Sequence, residues 1–199
     1  MKRVFYIFYN WLFFKLKGVL LGKNFKVYNR VFLKKTPNSK MIIGDNFTFT
    51  SGNGLNPITS NTIGELRLDD QAELIIGDNC GMSSAVLWAY KSITIGNNVL
   101  IGGGCLIMDS DRHSIDYRIR NGNIRDEKGK KIDTQSAKTA PIVIEDDVLI
   151  GARVIILKGV KIGARSIIGA GSVVTKDIPS DVIAGGNPCK VIQSIKQDR

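Results

Sequence analysis

From residue 144 to residue 174 an aliphatic side chain occupies every sixth position: Ile144, Ile150, Ile156, Ile162, Ile168 and Val174. Gly151, Gly163 and Gly169 directly follow three of them. The residues four places on are small or aliphatic: Val148, Val154, Val160, Ser166, Ser172 and Ile178. This period matches neither the turn of a helix nor the alternation of a hairpin strand. It suits a solenoid of short flat strands, each ending at a corner. The large aliphatic fills the coil, glycine eases the turn, and the fourth-following residue stacks inward where space is short.

The register returns earlier in pieces. Ile76-Gly77-Asp78-Asn79-Cys80 and Ile95-Gly96-Asn97-Asn98-Val99 repeat it, and Ile95, Ile101 and Ile107 keep the step. Ile43-Gly44-Asp45-Asn46-Phe47 reads as a first rung, and Phe49 to Asn61, rich in Ser, Gly, Asn and Thr, as an irregular coil. Residues 113–140 are polar, charged and without the period, which predicts a loop ejected from the solenoid. Such loops on a rigid scaffold are where sites are usually built. The expected organisation is a helical N-terminal segment (1–40), an all-β repeat domain (41–192) with the loop at about 113–140, and a tail (193–199).

A chain of 199 residues with 43% hydrophobic content fits one domain with a continuous core, and 21 glycines suit a corner-rich β fold. Cys80 and Cys105 each lie four places after a rung aliphatic, the position of a buried filler, and Cys189 says little. Nothing suggests disulfides, which favours a reducing compartment.

Charge changes the picture at one end only. Residues 1–44 hold ten basic residues and no acid, so the rest of the chain is balanced and the net +10 arises before the first expected rung. Interleaved with them are Phe5, Tyr6, Phe8, Tyr9, Trp11, Phe13 and Phe14. The apolar stretch 4–14 is too short to span a bilayer, and Lys15-Leu16-Lys17 follows it in place of a small-residue cleavage site. Two readings stay open: an interfacial helix with lysines toward anionic headgroups, or a helix packed on the solenoid end or a neighbouring subunit. Nucleic acid is not an expected partner, because the cations sit beside a greasy run.

His113 is the sole histidine and stands where the register breaks, in Met108-Asp109-Ser110-Asp111-Arg112-His113-Ser114. In extended backbone Asp109, Asp111 and His113 project to one side. A carboxylate beside imidazole fixes its tautomer and raises its basicity, as a general base requires.

The runs Ile150-Gly151-Ala152-Arg153-Val154-Ile155-Ile156-Leu157-Lys158-Gly159-Val160-Lys161-Ile162-Gly163 and Gly169-Ala170-Gly171-Ser172-Val173-Val174-Thr175-Lys176-Asp177-Ile178-Pro179, closed by residues 184–192, resemble the left-handed parallel β-helix acyltransferases. The resemblance is to the galactoside/maltose O-acetyltransferases and the O-acetyltransferases of polysaccharide and lipopolysaccharide assembly, over roughly residues 76–192. It implies a left-handed coil, a homotrimer with sites between neighbouring solenoids, and acetyl-CoA as co-substrate without a metal. It also implies direct attack of an acceptor hydroxyl on the thioester. By the same resemblance His113 is the base, and the spacing offers Asp109 or Asp111 to orient it. Ala152 and Ala170 would hold the pantetheine arm, Thr175 and Lys176 make later CoA contacts, and Lys190 lies near the nucleotide phosphates. Where the galactoside group has an acceptor-binding Asn, this chain has Gly81-Met82-Ser83-Ser84, so Ser83 or Ser84, by hydroxyl or backbone amide, would serve. Leu149 replaces a common aromatic, and the loop is longer and carries Arg118, Arg120, Arg125, Lys128, Lys130 and Lys131. That basicity points to an anionic, nucleotide-linked or lipid-linked saccharide.

The expected function is acetyl-CoA-dependent O-acetylation of a saccharide in cell-surface polysaccharide biosynthesis, in the cytoplasm and at the inner face of the membrane. An amino-sugar N-acetyltransferase would use the same base and CoA site. A bare scaffold would need neither. Serine acetyltransferase is disfavoured by the missing long helical N-terminal domain. A γ-class carbonic anhydrase site is excluded, since one histidine cannot supply three metal ligands.

Overall fold

The six-step register places aliphatic side chains in three columns. The computed structural model describes residues 2–52, 54–55, 57–59 and 62–195. Each coil contributes one strand to each of three faces, and equivalent strands of successive coils pair in parallel. On the first face Leu21, Ile43, Ile76, Ile95, Ile144 and Ile162 stand in register. On the second stand Val27, Phe49, Met82, Ile101, Ile150, Ile168 and Ala184. On the third stand Leu33, Leu66, Leu87, Ile107, Ile156 and Val174. All except Leu21 are buried. The columns are the core, so burial of apolar area against the next coil holds each coil in place.

The corner between the first and second faces requires left-handed backbone, with φ of 56° at Asn24, 58° at Asn46, 57° at Asn79, 56° at Asn98 and 60° at Asp147. Asn and Asp tolerate that region better than other non-glycine residues. Their side chains form a ladder: each amide donates to the next Oδ1, from Asn24 to Asn46 (3.0 Å), Asn79 (2.8 Å), Asn98 (3.0 Å) and finally Asp147 (2.8 Å).

The solenoid begins at Leu20 rather than at residue 41. Leu21, Val27 and Leu33 already keep the six-step, with Phe25 and Val31 four places behind. Lys23, Lys26, Arg30 and Lys34 stand on the outward positions around them, and that hid the rung. Helix Lys2–Leu16 precedes it and closes the open end of the core. Phe14 is fully buried and its ring lies 5.2 Å from Phe25, which stacks on Phe47. The Asn10 amide donates to the Val27 and Asn29 carbonyls. At the far end strand Val182–Gly185 pairs antiparallel with Lys190–Ser194, so the chain is still in a strand where a tail was expected at 193. Residues 196–199 of that tail lie outside the described residues.

The corners after the second face are tight. A Cβ on Gly151 would stand 2.5 Å from the Ala170 nitrogen and 2.8 Å from its Cα. Backbone cannot step aside as a side-chain tip can. Gly151→Ala is therefore expected to destabilise the chain by about 1–3 kcal/mol. Chemical denaturation would measure it, and an unchanged midpoint would show that the coils can spread.

Candidate active site

After the third-face strand Leu106–Met108 the chain leaves the solenoid, returning at strand Ile142–Ile144. A short neck holds the excursion together. Ser110 bridges Thr139 antiparallel, the Asp111 N–H donates to the Lys138 carbonyl (3.0 Å), and the Ala140 N–H to that of Asp109 (3.0 Å). Two helical turns follow, Tyr117–Asn121 and Ile132–Gln135, the first capped by the Asp116 carboxylate on the Arg118 N–H (2.9 Å).

The second turn brings Asp133 back beneath His113. Asp133 Oδ2 lies 2.6 Å from His113 Nδ1, and Oδ1 accepts the Ser114 N–H at 2.7 Å. Asp133 is buried, and its carboxyl is held below the usual range first by the His113 bond and then by the Ser114 N–H. The His113 side chain is 55% exposed. A neutral imidazole whose Nδ1–H donates a hydrogen bond to the carboxylate leaves the Nε2 lone pair free to accept a proton.

This corrects the expected partners of His113. Asp109 is fully buried, and its carboxylate turns inward to the corner of the preceding coil. There it accepts the N–H groups of Tyr90 (2.6 Å), Lys91 (2.7 Å) and Ser92 (2.7 Å). Burial raises its pKa, against the pull of those bonds. Asp111 instead pairs with Lys158 at 2.6 Å. Alternation along an extended strand does not apply, because Arg112 adopts φ of 69° and turns the chain. Its guanidinium lies 4.6 Å over the Trp88 ring and 5.6 Å from that of Tyr90, and donates to the Tyr90 hydroxyl. Burial pushes that phenol up to about 12. The stack pins the backbone directly before His113. Asp133 lies twenty positions from His113 with no periodic pattern between them, so no sequence signal pointed to it.

The remaining expected residues lie elsewhere on the prism. Ala152 and Ala170 stack at the corner between the second and third faces, joined by the Gly171 N–H to the Ala152 carbonyl at 2.9 Å. Beside Ala152 runs a groove of about 430 Å³ bordered by Thr50, Met82, Ser83, Leu100 and Leu149. Ser83 lines it while sharing a hydrogen bond with Thr50 (2.8 Å). The Ser84 side chain does not reach it: the residue is fully buried, and its hydroxyl bonds Thr59 (3.3 Å) and the Gly52 N–H (3.4 Å). Thr175 and Lys176 are exposed after the third face. The Cys189 N–H donates to the Val173 carbonyl (2.8 Å), which ties exposed Lys190 back toward that pair. Ala170, Lys176 and Lys190 are all exposed, so this side of the last coils is accessible from solvent. In one chain the third face separates the Ala152–Ala170 corner from the His113 corner.

The family described as hexapeptide repeat of succinyl-transferase matches residues 141–176. SACOL2570 of Staphylococcus aureus (strain COL), which carries a provisional acetyltransferase name, is 42% identical over 151 residues, 66% of this chain and 70% of its own. Galactoside O-acetyltransferase of Escherichia coli (strain K12) is 41% identical over 105 residues, 52% of this chain and 45% of that one. Among solved structures, the Vibrio cholerae hexapeptide-repeat acetyltransferase VCA0836 complexed with acetyl coenzyme A matches with TM-score 0.52 and 28% identity, covering 94% of this chain and 76% of that one. The chain spans about half the length, or less, of several curated relatives, down to 24% of a Clostridium perfringens tetrahydropyridine-dicarboxylate N-acetyltransferase. Identity of this depth across two thirds of both chains, on a coil of the same repeat, makes this protein a member of the left-handed parallel β-helix, hexapeptide-repeat acyltransferases.

Proposed function

We propose that the chain transfers acetyl from acetyl-CoA to a hydroxyl of a saccharide, in the assembly of a cell-surface polysaccharide. The observation that carries this reading is the His113–Asp133 pair, a half-exposed imidazole fixed by a buried carboxylate at the neck of the loop. Nε2 would take the proton of the acceptor hydroxyl as its oxygen attacks the thioester carbonyl. When the carbon–sulfur bond breaks, the imidazolium returns that proton to the departing sulfur. The proton is thus only borrowed, and no covalent enzyme intermediate is needed. Asp133 stabilises the transient imidazolium. In the trimer this reading requires, the His113 corner of one chain faces the Ala152–Ala170 corner of a neighbour, with Lys176 and Lys190 near the CoA phosphates. Arg118, Arg120 and Arg125 favour an acceptor carrying phosphate.

Thiol release from acetyl-CoA against neutral sugars, sugar nucleotides and amino sugars tests the reading. Stimulation by a hydroxyl acceptor supports it, stimulation only by amino sugars makes the enzyme an N-acetyltransferase, and no CoA binding leaves a scaffold. Asp133→Asn is expected to lower kcat by roughly 10–10²-fold with little change in KM for acetyl-CoA. A matched change in KM would place Asp133 in binding instead. The same variant has a signature in stability. A carboxyl with a lowered folded pKa contributes fully above its unfolded value, and the contribution is lost as pH falls through the folded value. Asp133→Asn should remove that part of the acid-side fall in denaturation midpoint.

A further inference from the structure

Helix Lys2–Leu16 is apolar nearly all round, yet only one side has a partner. Asn10 and Phe14, one turn apart, face the solenoid and are buried. On the opposite side Val4, Phe5, Phe8, Trp11, Leu12 and Leu16 are between 41% and 77% exposed. Their rings form a shelf, with Phe5 stacked on Tyr9 (6.1 Å) and Phe8 on Trp11 (6.2 Å). An apolar face of this extent on a soluble surface marks an interaction site.

The helix and the first coil carry only basic charge; the nearest carboxylates, Asp45 on the Lys23 N–H (2.6 Å) and Glu73 on Lys40 (3.1 Å), belong to the coils behind. Three clefts border the helix, of about 370, 360 and 640 Å³, the first with mainly apolar walls and each with a basic residue in its lining: Lys23 in the first, Arg30 in the second, Lys17, Lys35 and Lys40 in the third. Lys15 stands within the exposed apolar face, where its stem can lie flat and its ammonium reach outward. No acidic residue occurs before Asp45.

We infer that this end of the solenoid docks on an anionic lipid surface, the helix lying in the headgroup plane with aromatics down and lysines among the phosphates. A second copy of the chain would present the same positive charge, whereas an anionic bilayer complements it. Among the described residues no helix is long and apolar enough to cross a membrane, so the helix lies on the surface rather than through it. Docking end-on sets the height of the candidate site. At ~4.8 Å per coil, His113, at the exit of the fourth coil, would stand roughly 15–20 Å above the anchored end, on the order of the reach of a lipid-linked saccharide. The docking itself does not depend on the transfer reaction.

Cosedimentation of the full chain with vesicles of phosphatidylcholine alone, and of phosphatidylcholine mixed with phosphatidylglycerol, tests it. Binding should appear with the anionic vesicles and weaken with salt. Each of Lys15→Glu and Lys17→Glu should reduce it by at least about five-fold, since a lysine near such a surface contributes ~1 kcal/mol. The triple variant Phe5→Ser, Phe8→Ser, Trp11→Ser should abolish it while keeping the wild-type unfolding midpoint, because these rings are exposed. Failure of the wild type to bind anionic vesicles at low salt would overturn the inference, as would unchanged binding by the triple variant. Sedimentation velocity covers the other occupant: a smaller assembly in the triple variant would assign the face to another copy of the chain and also overturn it.

Discussion

The His113→Ala variant is expected to turn over acetyl-CoA about 10²–10⁴-fold more slowly than the wild type, the range spanned by loss of a positioned general base. Its fold should survive. The imidazole is half exposed and outside the core columns, so its removal costs no buried apolar area. CoA should still bind, because the residues assigned to it sit on other corners and strands. The measurement is thiol release with the best acceptor, paired with CoA affinity by calorimetry. A variant with wild-type turnover would remove His113 from the chemistry and leave the loop a specificity element. A variant that loses CoA affinity as well would show that the histidine shapes the site rather than moves a proton.

Asp109→Ala should have the opposite profile, a large loss of stability. The carboxylate is fully buried and accepts three backbone N–H groups at 2.6–2.7 Å. Alanine leaves those donors without their acceptor at a half-buried corner, which water reaches only in part. An orphaned group shut off from water costs about 1–3 kcal/mol, so three at a half-buried corner, each near the lower end, give an expected loss of about 3 kcal/mol, a large share of a domain's total stability. Urea titration would read it directly. Asp109→Ala with a wild-type midpoint would mean that the turn finds other acceptors. A loss of activity without loss of stability would return Asp109 to the chemistry.

Much of the solenoid can be read along the chain because its period is set by one repeated local event, an inward aliphatic followed by a corner. Where outward positions are small or glycine the event is plain, as at Ile162-Gly163 and Ile168-Gly169. Where they carry lysine, as around Val27 and Leu33, the same inward columns exist but the contrast is lost. The candidate site is legible only in part. His113 is exposed as the lone histidine at a register break, but its partner is fixed by a non-repeating excursion and a left-handed turn at Arg112. Asp109 and Asp111 satisfied a spacing rule that holds only in extended backbone. Ser84 matched by position, yet its hydroxyl was needed inside the coil.

The asparagine ladder has a consequence for motion. Its rungs join residues 22, 33 and 19 positions apart until the last, where Asn98 reaches Asp147 across 49. An open excursion would add roughly 0.8 kcal/mol of chain entropy to closing that span over the preceding one, and the Asp109–Ala140 neck removes most of that cost. The seam between the fourth and fifth coils therefore depends on that neck as well as on its own ladder, and the excursion bearing His113 is tethered on both of its sides. Whatever ligand bridges those two coils would staple the seam. Slowed amide exchange at Gly102 and Leu100, whose N–H groups cross it to Ile150 and Val148, would report the ligand's arrival without any chemistry taking place.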